Sequence, residues 1–233
     1  MYNPVLNKGL KTEIKGFLDE GKNVLLTGPT GIGKSAIIRE FLNQHKYYSL
    51  EYNLRNGLSK GLLNGFRERI EKICETVIKD GSKGALFFDD LSSMNPDEAD
   101  FFCSMIKERD ISGFKLDENW LIVSSAVSGL GIDGCTFDVL KNEKKLISCF
   151  KIIKVEPASL YEGWIGWAKL KKLHPFVISF LEKNKEYFFY PPLTYSDNKA
   201  ESKNYCVPGM WEDVSKNLQK LQSMGMNIIY IID

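Results

Sequence analysis

An α/β chain with a central parallel sheet and a smaller helical C-terminal part is what this sequence predicts, and three observations predict it. Apolar runs of strand length, such as Val24-Leu25-Leu26 and Ala85 to Phe88, alternate with segments of helical spacing. Strands separated by helices are joined by crossovers, which makes them parallel and covers both faces of the sheet. From about Ala158 the strand pattern gives way to helical segments rich in aromatics. The expected organisation is an α/β core over residues 1–157 and a helical subdomain over 158–233.

Taken in order, Lys11 to Asp19 has helical spacing through Ile14, Phe17 and Leu18 and stops at Gly21, a C-cap residue. Val24 to Leu26 opens the first strand, and Ala36-Ile37-Ile38 begins the helix after it. Tyr47 to Asn53 alternates apolar and polar residues, as a second strand should. Leu62 to Lys79 carries a helical stripe through Leu63, Phe66, Ile70, Ile73 and Val77. The run "ALFFDD", Ala85 to Asp90, is a third strand ending in two carboxylates. Asn95-Pro96-Asp97-Glu98 combines an N-cap residue, a first-turn proline and acids beside the helix dipole, so a helix runs from there to Arg109. "WLIVSSA" from Trp120 and "FKIIKVEP" from Phe150 supply two more buried strands. Beyond them Trp164, Trp167, Phe176 and Phe180 lie on helical stripes that read as core; "FFYPPL" interrupts the helices, and Trp211 to Met224 resumes them.

Composition narrows the functional classes. A net charge of +1 gives no support for a nucleic-acid or anionic-membrane surface, and the Lys141 to Lys145 patch is broken by Glu143. No apolar stretch reaches the ~18 residues of a membrane span, and the N-terminus lacks the apolar core of a signal peptide. Five cysteines without a C-x-x-C pair fit reduced thiols in a cytoplasm, and the two histidines, His45 and His174, sit in unrelated contexts. His174-Pro175 reads as a helix start.

Between the first strand and its helix lies Gly28-Pro29-Thr30-Gly31-Ile32-Gly33-Lys34-Ser35, followed by Ala36. This is G-x-x-x-x-G-K-S in its required strand–loop–helix context, and it points to nucleotide phosphates. Glycines let the backbone wrap closely, so that successive N–H groups point inward. The helix beginning near Lys34 adds its positive end. Lys34 neutralises the outer phosphates and the Ser35 hydroxyl takes a Mg²⁺ position. Such a site needs a carboxylate at the end of a neighbouring strand. Asp89 is the metal-side candidate, and Asp90 the candidate for polarising an attacking water. ATP with Mg²⁺ is therefore the expected cofactor pair.

At this point the sequence resembles the MoxR-like branch of the AAA+ ATPases over nearly its whole length. "LFFDDLSSMNPDEADFFCSMIKERDISGFKLDENWLIVSSA" looks like that family's Walker B region through its sensor-1 strand. "PASLYEGWIGWAKLKKLHPFVISFL" is similar to the opening of the lid, with its Trp-x-x-Trp-Ala and His-Pro elements, and "VPGMWEDVSKNL" resembles the closing sensor-2 segment. The resemblance implies a helical lid over an α/β core, ATP at their junction, and assembly into rings that remodel partners. Those partners often carry a von Willebrand factor A domain.

Four departures from the family pattern fall on the γ-phosphate side. Asp90 replaces a Glu, and a misplacement near 1 Å can lower a rate ~10²-fold. Val127 takes the sensor-1 Asn position, with Ser124 or Ser125 as alternative polar groups. Cys149 stands where the arginine finger belongs, a residue that supplies roughly 10³–10⁵ in rate. Gly209 occupies the sensor-2 Arg position. Lys151, Lys154 and Arg109 are the cations that could replace the missing ones. Cys149 also has a reading as a redox-sensitive thiol, beside Lys144, Lys145 and Lys151.

The binding residues are retained and the turnover residues altered. The expectation is a cytoplasmic ATP-binding AAA+ protein that couples nucleotide state to a protein partner, with weak or impaired hydrolysis, beside an active AAA+ subunit or a von Willebrand factor A domain protein. The alternative is an active, chaperone-like remodeller in an oligomeric ring. An unrelated P-loop kinase or a DNA-associated loader fits fewer of these features.

Overall fold

The computed structural model describes residues 8–57, 60–80, 82–130, 136–138, 148–189 and 206–226. Lys8–Asp19 forms α1, followed by β1 (Val24–Gly28), α2 (Lys34–Gln44), β2 (Tyr48–Asn53), α3 (Lys60–Asp80), β3 (Gly84–Asp89) and α4 (Pro96–Glu108). A short hairpin of β4 (Asp110–Ile111) and β5 (Phe114–Lys115) precedes β6 (Leu121–Leu130), β7 (Thr136–Asp138) and β8 (Lys151–Lys154). Among the described residues three α-helices follow: α5 (Pro157–Leu170), α6 (Pro175–Lys183) and α7 (Pro208–Ser223).

The strands lie in the order β2-β3-β6-β1-β8, all parallel, with β7 antiparallel against the end of β6. Side-chain alternation sorts the core into two layers. Val24, Leu26, Ala85, Phe87, Leu121 and Val123 face one side, where they join Ile14 of α1 and Ile37, Ile38 and Phe41 of α2. Leu25, Leu86, Phe88 and Ile122 face the other, against Phe66 and Ile70 of α3 and Phe102 and Ile106 of α4. Removing a side chain such as Phe88, which is completely buried, typically costs ~3–5 kcal/mol.

The helix signals read from the sequence have structural counterparts. Asn95 caps α4 by accepting from Glu98 N–H at 2.9 Å, while Glu98 Oε2 accepts from Asn95 N–H at 3.0 Å, a full capping box. His174 caps α6, with Nδ1 accepting from Phe176 N–H. Its own N–H donates to Ser215 Oγ of α7 at 2.7 Å, which ties two C-terminal helices together.

Those helices share the first apolar layer with the sheet: Leu160, Trp164 and Ile165 of α5, Val177 and Leu181 of α6 and Leu218 of α7 belong to the same buried cluster as Val24 and Ile37. One expectation needs correction. Phe176 and Phe180 are not core; they are 45% and 40% exposed and line an outer groove of α6 and α7 with Trp211. The β4–β5 hairpin lies in a stretch for which the sequence reading names no element: Ser112 and Gly113 both take positive φ at its turn.

No helix among the described residues is long and apolar enough to cross a membrane. The Lys141 to Lys145 patch, most of "FFYPPL", and the apolar residues 227–233 lie outside the described residues.

Candidate functional site

The loop leaves β1 at the C-terminal end of the sheet, where Gly28 pairs with Val127 of β6. Gly33, at φ 98°, is the N-cap of α2, a conformation that favours glycine. Gly31, at φ 76°, sits so close to the segment before α7 that a Cβ there would come within 2.9 Å of the Val207 side chain. Ile32 is buried in the apolar layer and anchors the loop from below.

A small polar pocket of about 210 Å³ opens over this loop, lined by Thr30, Gly31, Gly33, Lys34, Ser35 and Ala36, and across from them by Arg55, Asp89, Asp90, Ser125 and Val127. Lys34 folds back on the loop, its Nζ donating to the carbonyls of Gly28 at 3.0 Å and Pro29 at 2.8 Å. Burial pushes its ammonium pKa down to about 8; Asp90 and Asp89 oppose that fall and Arg55 adds to it.

The two carboxylates have different surroundings. Asp89 Oδ1 accepts from Ser35 Oγ at 2.6 Å and from Ser125 Oγ at 2.5 Å, while its Oδ2 lies 3.5 Å from Arg39. Arg39 is itself forked onto Glu51 at 2.8 and 2.6 Å. Asp90 takes the left-handed conformation at φ 65°. Its Oδ2 accepts from Arg55 Nε at 2.6 Å and its Oδ1 from Ser92 Oγ at 2.8 Å, and its N–H donates to Ser125 Oγ at 3.0 Å. Burial alone would raise the Asp90 carboxyl, but hydrogen bonds from Arg55, Ser92 and Ser93 outweigh it and leave the pKa lowered. Asp90 is therefore an ionised acceptor that already has donors.

Ser35 and Asp89 present a hydroxyl and a carboxylate side by side at the pocket floor. These hard oxygen donors are of the kind that would hold a Mg²⁺ ion.

On the other side of the loop lies a larger cavity of about 630 Å³ between α2 and the C-terminal helices. Leu160, Trp164, Trp167 and Leu173 give it apolar walls, and Glu40, Lys171, Glu212 and Lys216 supply charge. Gly31, Gly33 and Ala36 line both compartments. Gly209 also faces the larger cavity, with open space where a Cβ would stand.

The structure thus brings Thr30, Gly31, Gly33, Lys34, Ser35, Ala36, Asp89 and Asp90 into one pocket. Val127 lines it too, and its N–H donates to Ser92 Oγ at 2.6 Å. Of the two alternative polar groups on β6, Ser125 reaches the site, whereas Ser124 points to the opposite layer, buried with no hydrogen-bond partner for its hydroxyl. The suggested replacement cations are elsewhere. Arg109 binds the carbonyls of Asp117 and Trp120 at 2.7 Å, and Lys154 pairs with Glu156. Lys151 pairs in register with Val24, at the end of the strands opposite the loop. Cys149 precedes it there, its thiol against the Cys103 carbonyl. Sequence reasoning missed Arg55, Arg39 and Ser92. Arg55 lies two residues past the end of β2, in the turn Leu54–Asn56, and the register that pairs Asn53 with Asp89 carries it to the pocket.

Comparison with known proteins agrees with this geometry. Residues 10–101 match the family described as the P-loop containing dynein motor region. The sequence matches no curated protein. Among solved structures the chain is similar to the RuvB Holliday junction branch migration motor of Thermotoga maritima, at 15% identity and a TM-score of 0.55, over 94% of this chain and 64% of that one. Two point variants of the same motor give TM-scores of 0.54 and 0.56 at 14% and 13% identity, over 94% and 95% of this chain and 64% and 65% of theirs. The chain thus spans just under two thirds of the length of the proteins it matches. The α/β fold is the P-loop AAA+ fold, as in RuvB.

Proposed function

We propose that this chain is an ATP-binding AAA+ module of the MoxR-like type, with a core over residues 1–157 and a lid over 158–233, that holds nucleotide more readily than it consumes it. One observation carries the reading: a polar pocket sized for phosphates and an aromatic-walled cavity share the wall of Gly31, Gly33 and Ala36. A ligand that is anionic at one end and a flat heterocycle at the other fits both compartments across that wall. Lys34, the loop N–H groups and the start of α2 bind the phosphates. Ser35 and Asp89 would hold a Mg²⁺ ion, which would supply charge neutralisation at the phosphates.

The low-turnover part rests on what surrounds the γ-phosphate position. Asp90 is engaged by Arg55 and Ser92, Val127 offers only a methyl surface, and Cys149 brings no charge to a neighbouring subunit. In this reading the module works in the cytoplasm, presenting an ATP-dependent surface to a protein partner, either an active AAA+ subunit or a von Willebrand factor A domain protein. Ser125 favours a second reading, an active chaperone-like ring ATPase, because it places a hydroxyl on β6 within the catalytic pocket.

ATP affinity and steady-state hydrolysis, measured together with Lys34→Ala as the background control, separate the two. Binding without Lys34-dependent turnover is the expected result. Lys34-dependent hydrolysis would move the conclusion to the second reading, and absence of binding would end both.

A further inference from the structure

Arg55 is a cation at the phosphate pocket for which the P-loop chemistry above has no use. Lys34 and Arg55 are the two cations lining that pocket among the described residues, one from the loop and the other from the turn after β2. The backbone of Arg55 is held in place. Its N–H donates to Asn53 Oδ1 at 3.0 Å, Leu54 beside it is buried, and the turn closes at Gly57, whose carbonyl accepts from the Tyr52 hydroxyl at 2.9 Å. The side chain, in contrast, is 67% exposed and touches the site through one ion pair, Nε to Asp90 Oδ2. A root fixed at the pocket rim and a guanidinium in solvent give a long arm with a defined reach.

We propose that Arg55 is an in-chain reader of the terminal phosphate. When a nucleoside triphosphate fills the pocket, the guanidinium gives up Asp90 for a γ-phosphate oxygen; a diphosphate leaves it on the carboxylate. The exchange is easy in both directions. An ion pair with so exposed a partner contributes little, whereas a phosphate offers a planar fork two charge-assisted hydrogen bonds from a more highly charged acceptor. The Asp90 carboxylate keeps its hydrogen bonds from Ser92 and Ser93, so losing Arg55 does not strand a buried charge. The cation absent at Cys149 and Gly209 is thereby replaced within the same chain by a residue that discriminates between nucleotides, and the module reports ATP against ADP without needing a neighbour's arginine.

This inference rests on the nucleotide-binding reading above, and its test distinguishes failure of one from failure of the other. Titration calorimetry with Mg²⁺ would compare ADP and the β,γ-imido analogue of ATP on the full chain, on Arg55→Ala and on Arg55→Lys, with thermal melts to show that each variant is folded. The expected result is a triphosphate preference of roughly 10- to 100-fold in the parent, the worth of one charged hydrogen-bonding group. In Arg55→Ala that preference collapses toward one while ADP affinity is unchanged, and in Arg55→Lys, which keeps the charge and loses the fork, it is partly retained. A preference that survives Arg55→Ala, or an equal loss for both nucleotides, overturns the proposal and leaves the binding reading standing. No binding of either nucleotide by the parent chain removes both.

Discussion

The compartments on the two sides of Gly31 are built differently. In the phosphate pocket the polar side chains are tied to one another: Ser35 and Ser125 to Asp89, Arg55 and Ser92 to Asp90, Lys34 to the loop carbonyls. In the cavity behind it, the walls are Leu160, Trp164, Trp167 and Leu173, held by packing within the apolar layer. The first owes its shape to strand ends and a helix start close together in the fold. The second exists only because helices from the last third of the chain dock on α2. The polar lining is thus a property of the sheet, and the apolar walls a property of the docking.

The largest effect that would break this contrast is at Trp164. It is buried, in ring contact with Trp167 at 5.8 Å and Phe188 at 5.5 Å. Trp164→Ala should lower stability by ~3–5 kcal/mol, read as a fall in the denaturation midpoint. A loss below ~1 kcal/mol would show that the C-terminal helices are not held by this layer. Next comes charge. Lys34→Ala should weaken ATP and inorganic tripolyphosphate alike, by roughly 100-fold, whereas Trp167→Ala, at the cavity wall, should weaken ATP several-fold and leave tripolyphosphate alone, an order-of-magnitude expectation for one aromatic contact. If Trp167→Ala changed both equally, the cavity would not be the base site.

The pH dependence sharpens the same contrast. With its pKa lowered to about 8, Lys34 in the ligand-free fold loses its proton before it would in the unfolded chain, so the unfolded state holds more protons between about 8 and 10.5. The Lys34 contribution to stability therefore rises with pH across that window. Phosphate affinity runs the other way, falling roughly tenfold per pH unit above about 8 because binding must take up the lysine proton. Titrations of the parent chain and Lys34→Ala in parallel would show a pH slope in the first that is missing from the second. The smallest effect separates two neighbouring serines. Ser124→Ala removes a buried hydroxyl with no partner and should raise stability by about 1 kcal/mol, while Ser125→Ala should lower it by a similar amount, both read by thermal melts.

Much of this arrangement can be read from residue order alone. Asp89 has the same parity as Ala85 and Phe87, and Ser125 the same as Leu121 and Val123, so alternation aims both at the face covered by α2, whose first turn carries Ser35. The loop, its lysine and the Asn95 cap are equally local. Arg55 is not, because nothing near it in sequence announces a site; its role depends on β2 lying beside β3, a fact of strand order. The exposure of Phe176 and Phe180 escapes the sequence for the opposite reason. Their spacing satisfies a core stripe, but α6 already buries Val177 and Leu181 on its inner face. The β4–β5 hairpin, at two residues per strand, is too short to show a period, and only Ser112-Gly113 signals it.

The contact between Gly31 and Val207 gives the molecule a mechanical connection as well as a chemical one. Val207 is the residue just before α7, a helix of 16 residues and therefore ~24 Å long. One end of this helix sits against the phosphate loop through Val207, and the far end leads to Met224 and Met226, 63% and 50% exposed. Because a single added carbon at Gly31 already collides with Val207, the phosphate loop is braced by the segment that starts this helix, and any side chain at that position would have to push the helix start away.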